Sequence, residues 1–212
     1  MTVESFKDRQ RRAREEAILD AAAEISRARG FQAMSMDEIA ARVGIAKGTI
    51  YLHFASKDVL AAALVARGIA ALTACIDGLD PNLPVLERLD RILRAMLEGA
   101  IQHDHGAPLP DSAAPELRRL IETDARCADL VRGLQARLTA LIDEGQRRGE
   151  IDPRQQSAVL VGALFALLSP RTYSQMLTTA DVPAPAVNDA LIRLYLRGIA
   201  RDPADVGLSK DG

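Results

Sequence analysis

The sequence has no tryptophan, four phenylalanines and three tyrosines, so aromatics make up 3% of its 212 residues. Any core or cavity it builds is aliphatic and of low selectivity. Only two cysteines occur, Cys75 and Cys127, 52 positions apart. A disulfide-stapled secreted fold needs more, and no cysteine pair has zinc-finger spacing, so both read as reduced, small apolar core residues. Strand signals are missing: there is no period-2 alternation and no β-branched or aromatic run. The charge excess of one sign is small too, a net −2 from 27 basic and 29 acidic residues, which excludes a uniformly basic coat. The N-terminus, MTVESFKDRQRRAREE, lacks the apolar run of a signal peptide. The longest uncharged stretch, Gln155 to Pro170, is too short to span a bilayer. These absences predict a soluble, cytoplasmic protein. No nucleophile-elbow, P-loop or HExxH pattern occurs, and neither a metal nor a cofactor is predicted. An enzyme built on His103 and His105 is a remote alternative.

What is present is helical. Alanine, leucine, arginine and glutamate dominate, and 48% hydrophobic with 26% charged residues suits a packed core rather than disorder. The length allows one large domain or a small one followed by a larger one. The pattern predicts an all-α chain of about nine helices. The first runs from about Lys7 to Arg29, with Ile18, Ala22 and Ile25 on one face and Gly30 as its stop. Ser35-Met-Asp-Glu38 is a capping box that starts a helix over Met36–Arg42, with Ile39, Ala40 and Val43 inward. Gly44 and Ile45 separate it from a short helix over Ala46–Phe54. Ser56 caps a fourth helix from Lys57 to about Leu79, with Leu60, Leu64, Gly68, Ala71, Leu72 and Cys75 lining its buried face. Helices follow over about Val85–Gln102, Glu116–Thr123 and Ala128–Arg148. Asp152-Pro153 reads as the start of another, running to about Leu177 with a kink or interruption at Pro170, and Ala184–Ile199 is the last. The predicted division is a three-helix unit over 1–56, a larger helical domain over 57–203 and a polar, frayed tail over 204–212.

Two short helices joined by a glycine-containing turn form a helix-turn-helix. The second is short enough to lie in a major groove with its first residues at base edges. Lys47 can donate to guanine O6 and N7. Gly48 allows close backbone approach. Thr49 offers a hydroxyl and a methyl for phosphate or a thymine methyl. Tyr51 and His53 can donate to flanking phosphates. Ser35 and Lys57 stand at helix N-termini, where phosphates are favoured. Asp37 either complements the helix dipole or accepts from cytosine N4. Ala46 gives the short helix no side-chain cap, which costs about 0.5–2 kcal/mol of local stability. The stretch to Arg14 is net +3, with Lys7, Arg9, Arg11, Arg12 and Arg14 against Glu4 and Asp8; it is either a solvated helix start or a DNA-contacting arm.

The segment SMDEIAARVGIAKGTIYLHF over 35–54, followed by ASKDVL, resembles the helix-turn-helix domain of TetR-family transcriptional regulators. The likeness covers about residues 10–65 and rests on Ile39-Ala40, Gly44, the run from Lys47 to Phe54 and Lys57. It implies DNA contacts from Ser35, Met36, Lys47, Gly48, Thr49, Tyr51, His53 and Lys57. It implies a homodimer on a palindromic double-stranded operator. It also implies an unknown small apolar or amphipathic effector that releases a repressor by favouring a conformer with misplaced recognition helices. A regulator without a ligand, or one controlled by a partner protein, is the alternative.

Candidate pocket residues are Leu72, Ile76, Leu93, Met96, Leu97, Leu134, Leu138 and Phe165, each equally at home in a packed core. Ala158, Gly162 and Ala166 recur every four residues and make a smooth strip where another helix can approach. With Leu191, Leu194 and Tyr195 they predict a dimer interface of two helices per subunit, or else they close the monomer core. His103-Asp104-His105 reads as a polar loop edge, the lining of a ligand entrance or, less simply, part of a metal site.

Overall fold

The computed structural model describes residues 5–29, 33–102, 124–168, 170–179 and 182–201. Among the described residues there are nine helices and no strand, only one antiparallel bridge between Ile151 and Ala200. The helices are α1 (Phe6–Arg29), α2 (Met36–Val43), α3 (Lys47–His53), α4 (Lys57–Asp77), α5 (Val85–Gln102), α6 (Ala125–Arg147), α7 (Ser157–Leu167), α8 (Pro170–Thr179) and α9 (Ala184–Ile199). The expected helix at 116–123, the stop at Gly30 and the residues from His103 to Asp111 lie outside the described residues.

The first three helices close on the start of α4. Ile18, Ala22 and Ile25 of α1 meet Ile39, Ile50, Phe54 and Leu60 in one core. A fully buried aliphatic side chain contributes about 1.5–3 kcal/mol, so these few residues hold α3 in place. Local chemistry sets the ends. Ser35 accepts from the Glu38 amide at 3.2 Å. Glu38 itself does not reach back as a capping box requires; its carboxylate pairs with Arg29 of α1. Gly44 takes a left-handed conformation (φ 74°), and its N–H bonds the last carbonyls of α2. A side chain there would be strained, which explains the glycine. Ser56 caps α4 by accepting from the Val59 amide at 3.2 Å.

A second core joins α4 through α9. Val85, Leu89, Ile92 and Leu93 of α5 pack with Leu134, Leu138 and Ile142 of α6, Leu164 of α7 and Ile192 and Tyr195 of α9. Gly145 is forced by this packing: a Cβ there would sit 2.6 Å from Ile151 and 2.9 Å from Val85. Arg88 of α5 binds Glu144 of α6 at 3.0 Å.

Two expectations are corrected. The buried residues of α4 are Leu60, Ala61, Ala62, Ala66 and Ile76; Ala71 and Cys75 are exposed. Helix α4 packs against α1 and α6 on different strips, so a single stripe did not describe it. Cys127 is buried, its Sγ 3.4 Å from the Ala62 carbonyl, and it joins Ala62 and Ala66 in a small cluster. Asp152 starts no helix. Its carboxylate turns to Arg154, its N–H donates to the Ile199 carbonyl at 3.0 Å, and α7 begins only at Ser157. The side-chain amide of Gln146 donates to the carbonyls of Asp152 and Gln155 and holds this turn out of the helix. Further on, the chain is interrupted before Pro170, as the sequence allowed, so that α7 ends at Leu167 and α8 begins at Pro170. Among the described residues α4 alone has the length and apolar composition to cross a membrane; it packs against α1, α5 and α6.

Candidate nucleic-acid interface

The exposed face of α3 follows from its phase. Ile50 is fully buried, and Phe54 and His53 lie on the same side. At 100° per residue the opposite side is centred on Gly48 and Leu52, with Lys47 and Tyr51 along one edge. Leu52 is 78% exposed, more than any other large apolar side chain among the described residues. Sequence reading passed over it; its place one turn after Gly48 was the available signal. Gly48 is not required by the fold: a Cβ there meets nothing within 4 Å, and its φ is not positive. A helix residue with room for a side chain and none present points to an approach from outside.

The other predicted contact residues fall as follows. Ser35 is exposed at the start of α2, its oxygen occupied by the Glu38 amide and its hydroxyl hydrogen left to donate. Met36 turns its side chain into the core, leaving only backbone for a DNA contact. Thr49 is half-buried and Tyr51 exposed. Lys57 opens α4. His53 differs from expectation: its ring points inward, Nδ1 lying 3.3 Å from Glu15 of α1. Partial burial pushes the Glu15 carboxyl up, but Arg11 at 3.0 Å and His53 outweigh it and hold the group below its ordinary value. His53 thereby ties the recognition helix to α1. Arg42 in turn ties α2 to α1 through Glu24 at 2.5 Å.

Ala46 stands as N-cap of α3 in extended conformation with no side-chain cap bond, as read from the sequence. Lys47 binds Asp37 across the two helices, Nζ to Oδ2 at 2.7 Å. This hydrogen bond, and then the charge of Asp37, raises the Lys47 pKa above the usual lysine value. Lys7, Arg9, Arg11, Arg12 and Arg14 are all exposed on α1.

In the second unit the structure brings all eight candidate pocket residues into or against one aliphatic cluster. Of the six candidate interface residues, Ala158, Gly162, Ala166 and Leu194 are exposed, whereas Leu191 and Tyr195 belong to the subunit core. The Tyr195 hydroxyl donates to the Leu160 carbonyl at 2.9 Å, and burial pushes its pKa up to about 12. Val159, 62% exposed, and Leu194, 63% exposed, stand out on α7 and α9.

A short helix held by a three-helix core, with a glycine-centred exposed face and cations at its rim, is a helix-turn-helix DNA-binding module. The family model described as bacterial regulatory proteins, tetR family, matches residues 18–64. The fatty acid metabolism regulator protein of Bacillus subtilis (strain 168) is 22% identical over 196 residues, covering 90% of this chain and 98% of that protein. A TetR-family transcriptional regulator from Agrobacterium tumefaciens has the same fold, with TM-score 0.70 at 23% identity over 90% of this chain and 99% of that one. So has the regulator FadR from Bacillus subtilis in complex with stearoyl-CoA, with TM-score 0.64 at 18% identity over 86% and 98% of the two chains. Residues 18–64 thus match the DNA-binding domain of the tetR family of bacterial regulatory proteins, and the fold of the whole chain is that of TetR-family transcriptional regulators.

Proposed function

We propose that this regulator is a homodimeric repressor that holds a palindromic operator and leaves it when a long-chain acyl ligand enters the helical domain over 57–203. The observation that carries the dimer is the unpartnered face of α7 and α9. Val159 and Leu194 project from it, and the exposed Ala158, Gly162 and Ala166 leave room for a second pair of helices. Two such helices per subunit make a four-helix bundle. A dimer in turn supplies two copies of α3, which read two half-sites about one turn of DNA apart. Support for the ligand class is the aliphatic cluster around Leu93, Leu97, Leu134 and Leu138, together with the names of the relatives. The contacts proposed on DNA are Ser35, Lys47, Gly48, Thr49, Tyr51 and Lys57, with Met36 and His53 acting through backbone and position.

Selection of bound sequences from a random duplex pool at near-physiological salt tests the reading, followed by titration of the complex with stearoyl-CoA. A palindrome bound by a dimer and released by the acyl thioester is the expected result. A monomer at micromolar concentration, or a recovered site without two-fold symmetry, overturns the dimeric reading. A palindrome that stearoyl-CoA leaves bound overturns the acyl ligand and leaves a regulator that acts without it.

A further inference from the structure

Asp37 and Lys47 are ten residues apart in sequence and stand in the first turns of α2 and α3, yet their side chains meet at 2.7 Å. Both are exposed, on the surface that also carries Gly48. An ion pair this open to water adds little to stability. Nor is Asp37 needed as the acid of the α2 N-terminus, because Glu38 stands in the same turn. The pairing has a clear chemical consequence. An ammonium has three donors, and Asp37 holds one, which leaves two. A carboxylate bound once keeps acceptor capacity on both oxygens. The pair therefore presents donor, donor and acceptor side by side, with the last two joined by a hydrogen bond.

The major-groove edge of a G·C pair presents acceptor, acceptor and donor in order: guanine N7, guanine O6 and the cytosine N4 amino group. Guanine O6 and cytosine N4 are themselves joined by a hydrogen bond, so their spacing matches that of Nζ and Oδ2. We propose that Asp37 is a specificity-determining residue. Together with Lys47 it reads one G·C base pair in each half-site, Lys47 donating to O6 and N7 while Asp37 accepts from N4 of the paired cytosine. An A·T pair is rejected twice. Its adenine N6 donor faces the ammonium, and its thymine O4 acceptor faces the carboxylate. This inference rests on the operator reading above and adds to it a residue and a base.

The test is a half-site library, each base pair varied in turn, bound by full-length wild type, Asp37→Asn and Asp37→Ala, with thermal melting of each protein. Wild type prefers G·C over A·T at one position per half-site by about 5- to 150-fold. Asp37→Asn keeps an acceptor for cytosine and adds a donor for thymine. It reduces the preference at that position, leaving the part that Lys47 alone supplies, while preferences elsewhere, and the melting temperature, stay as in wild type. Asp37→Ala reduces the preference at the same position. Variants that keep the wild-type preference everywhere, or lose affinity equally on all sequences, overturn the role of Asp37 while leaving the operator reading intact. A wild type with no base preference overturns both.

Discussion

Replacing Gly48 by alanine separates what the fold needs from what the DNA needs. The added methyl meets no atom within 4 Å, and the backbone at Gly48 has no positive φ, so the folded protein accepts it without strain. Alanine also restricts the unfolded chain. Such replacements stabilise by roughly 0.4–1 kcal/mol. For a protein of this size each kcal/mol raises the melting temperature by about 2–4 °C, so a rise of roughly 1–4 °C is expected. On DNA the sign reverses. The methyl stands at the middle of the exposed face of α3, beside Lys47 and one turn before Leu52, and holds the backbone away from the base edges. Overpacking of a close contact costs about 1–3 kcal/mol, or roughly 5- to 150-fold in affinity. Thermal unfolding without DNA and fluorescence anisotropy on the selected operator measure the two effects. A variant that binds the operator as tightly as wild type refutes the close-approach argument. One that melts lower refutes the reading of Gly48 as dispensable to the fold.

Lys57→Ala is expected to weaken binding about equally on all sequences and to reduce the slope of log affinity against log salt by about one; an unchanged slope removes Lys57 from the phosphate contacts. Ala46→Ser gives α3 the side-chain cap it lacks and should stabilise the protein by about 0.5–2 kcal/mol, read by urea unfolding. Glu15→Gln probes the link from α1 to His53. Because Arg11 and His53 hold the Glu15 carboxyl below 4.5, its contribution is present above that value and fades as pH falls through the lower folded-state value. Wild type should therefore exceed the variant in stability at neutral pH, with the difference disappearing in acid; a difference independent of pH counts against the pair.

The helix-turn-helix was legible because its signals are local. Ser35, Gly44 and Ser56 each act on groups within a few residues, and Ile18, Ala22 and Ile25 fall in helical phase. Contacts between distant residues were not legible. Nothing near Lys47 in sequence shows that Asp37 accepts one of its hydrogen bonds, and nothing near His53 shows that Glu15 of α1 faces its ring. The face of α4 was misread for a related reason. A helix with two packing partners buries two strips, and a single-period reading sees one. Asp152-Pro153 carries every local mark of a helix start. There the long-range bond to Ile199 and the amide of Gln146 override it.

The position of α4 has a mechanical consequence. Its first turns belong to the core of the DNA-binding unit, where Leu60 and Ala61 are fully buried with Ile18 and Ile39. Arg67 then binds Asp20 of α1 at 2.6 Å. On its other side α4 is fixed to α6 at both ends, by Cys127 on Ala62 and by Arg137 on Asp77 at 3.0 Å. The reading head thus has no hinge of its own at Ser56. One rod runs through both cores, about 30 Å long at 1.5 Å per residue. A tilt of about 5° at one end would move the other by roughly 2.6 Å, a displacement comparable to a hydrogen-bond length. Small adjustments deep among aliphatic side chains can in this way decide whether a base edge is within reach.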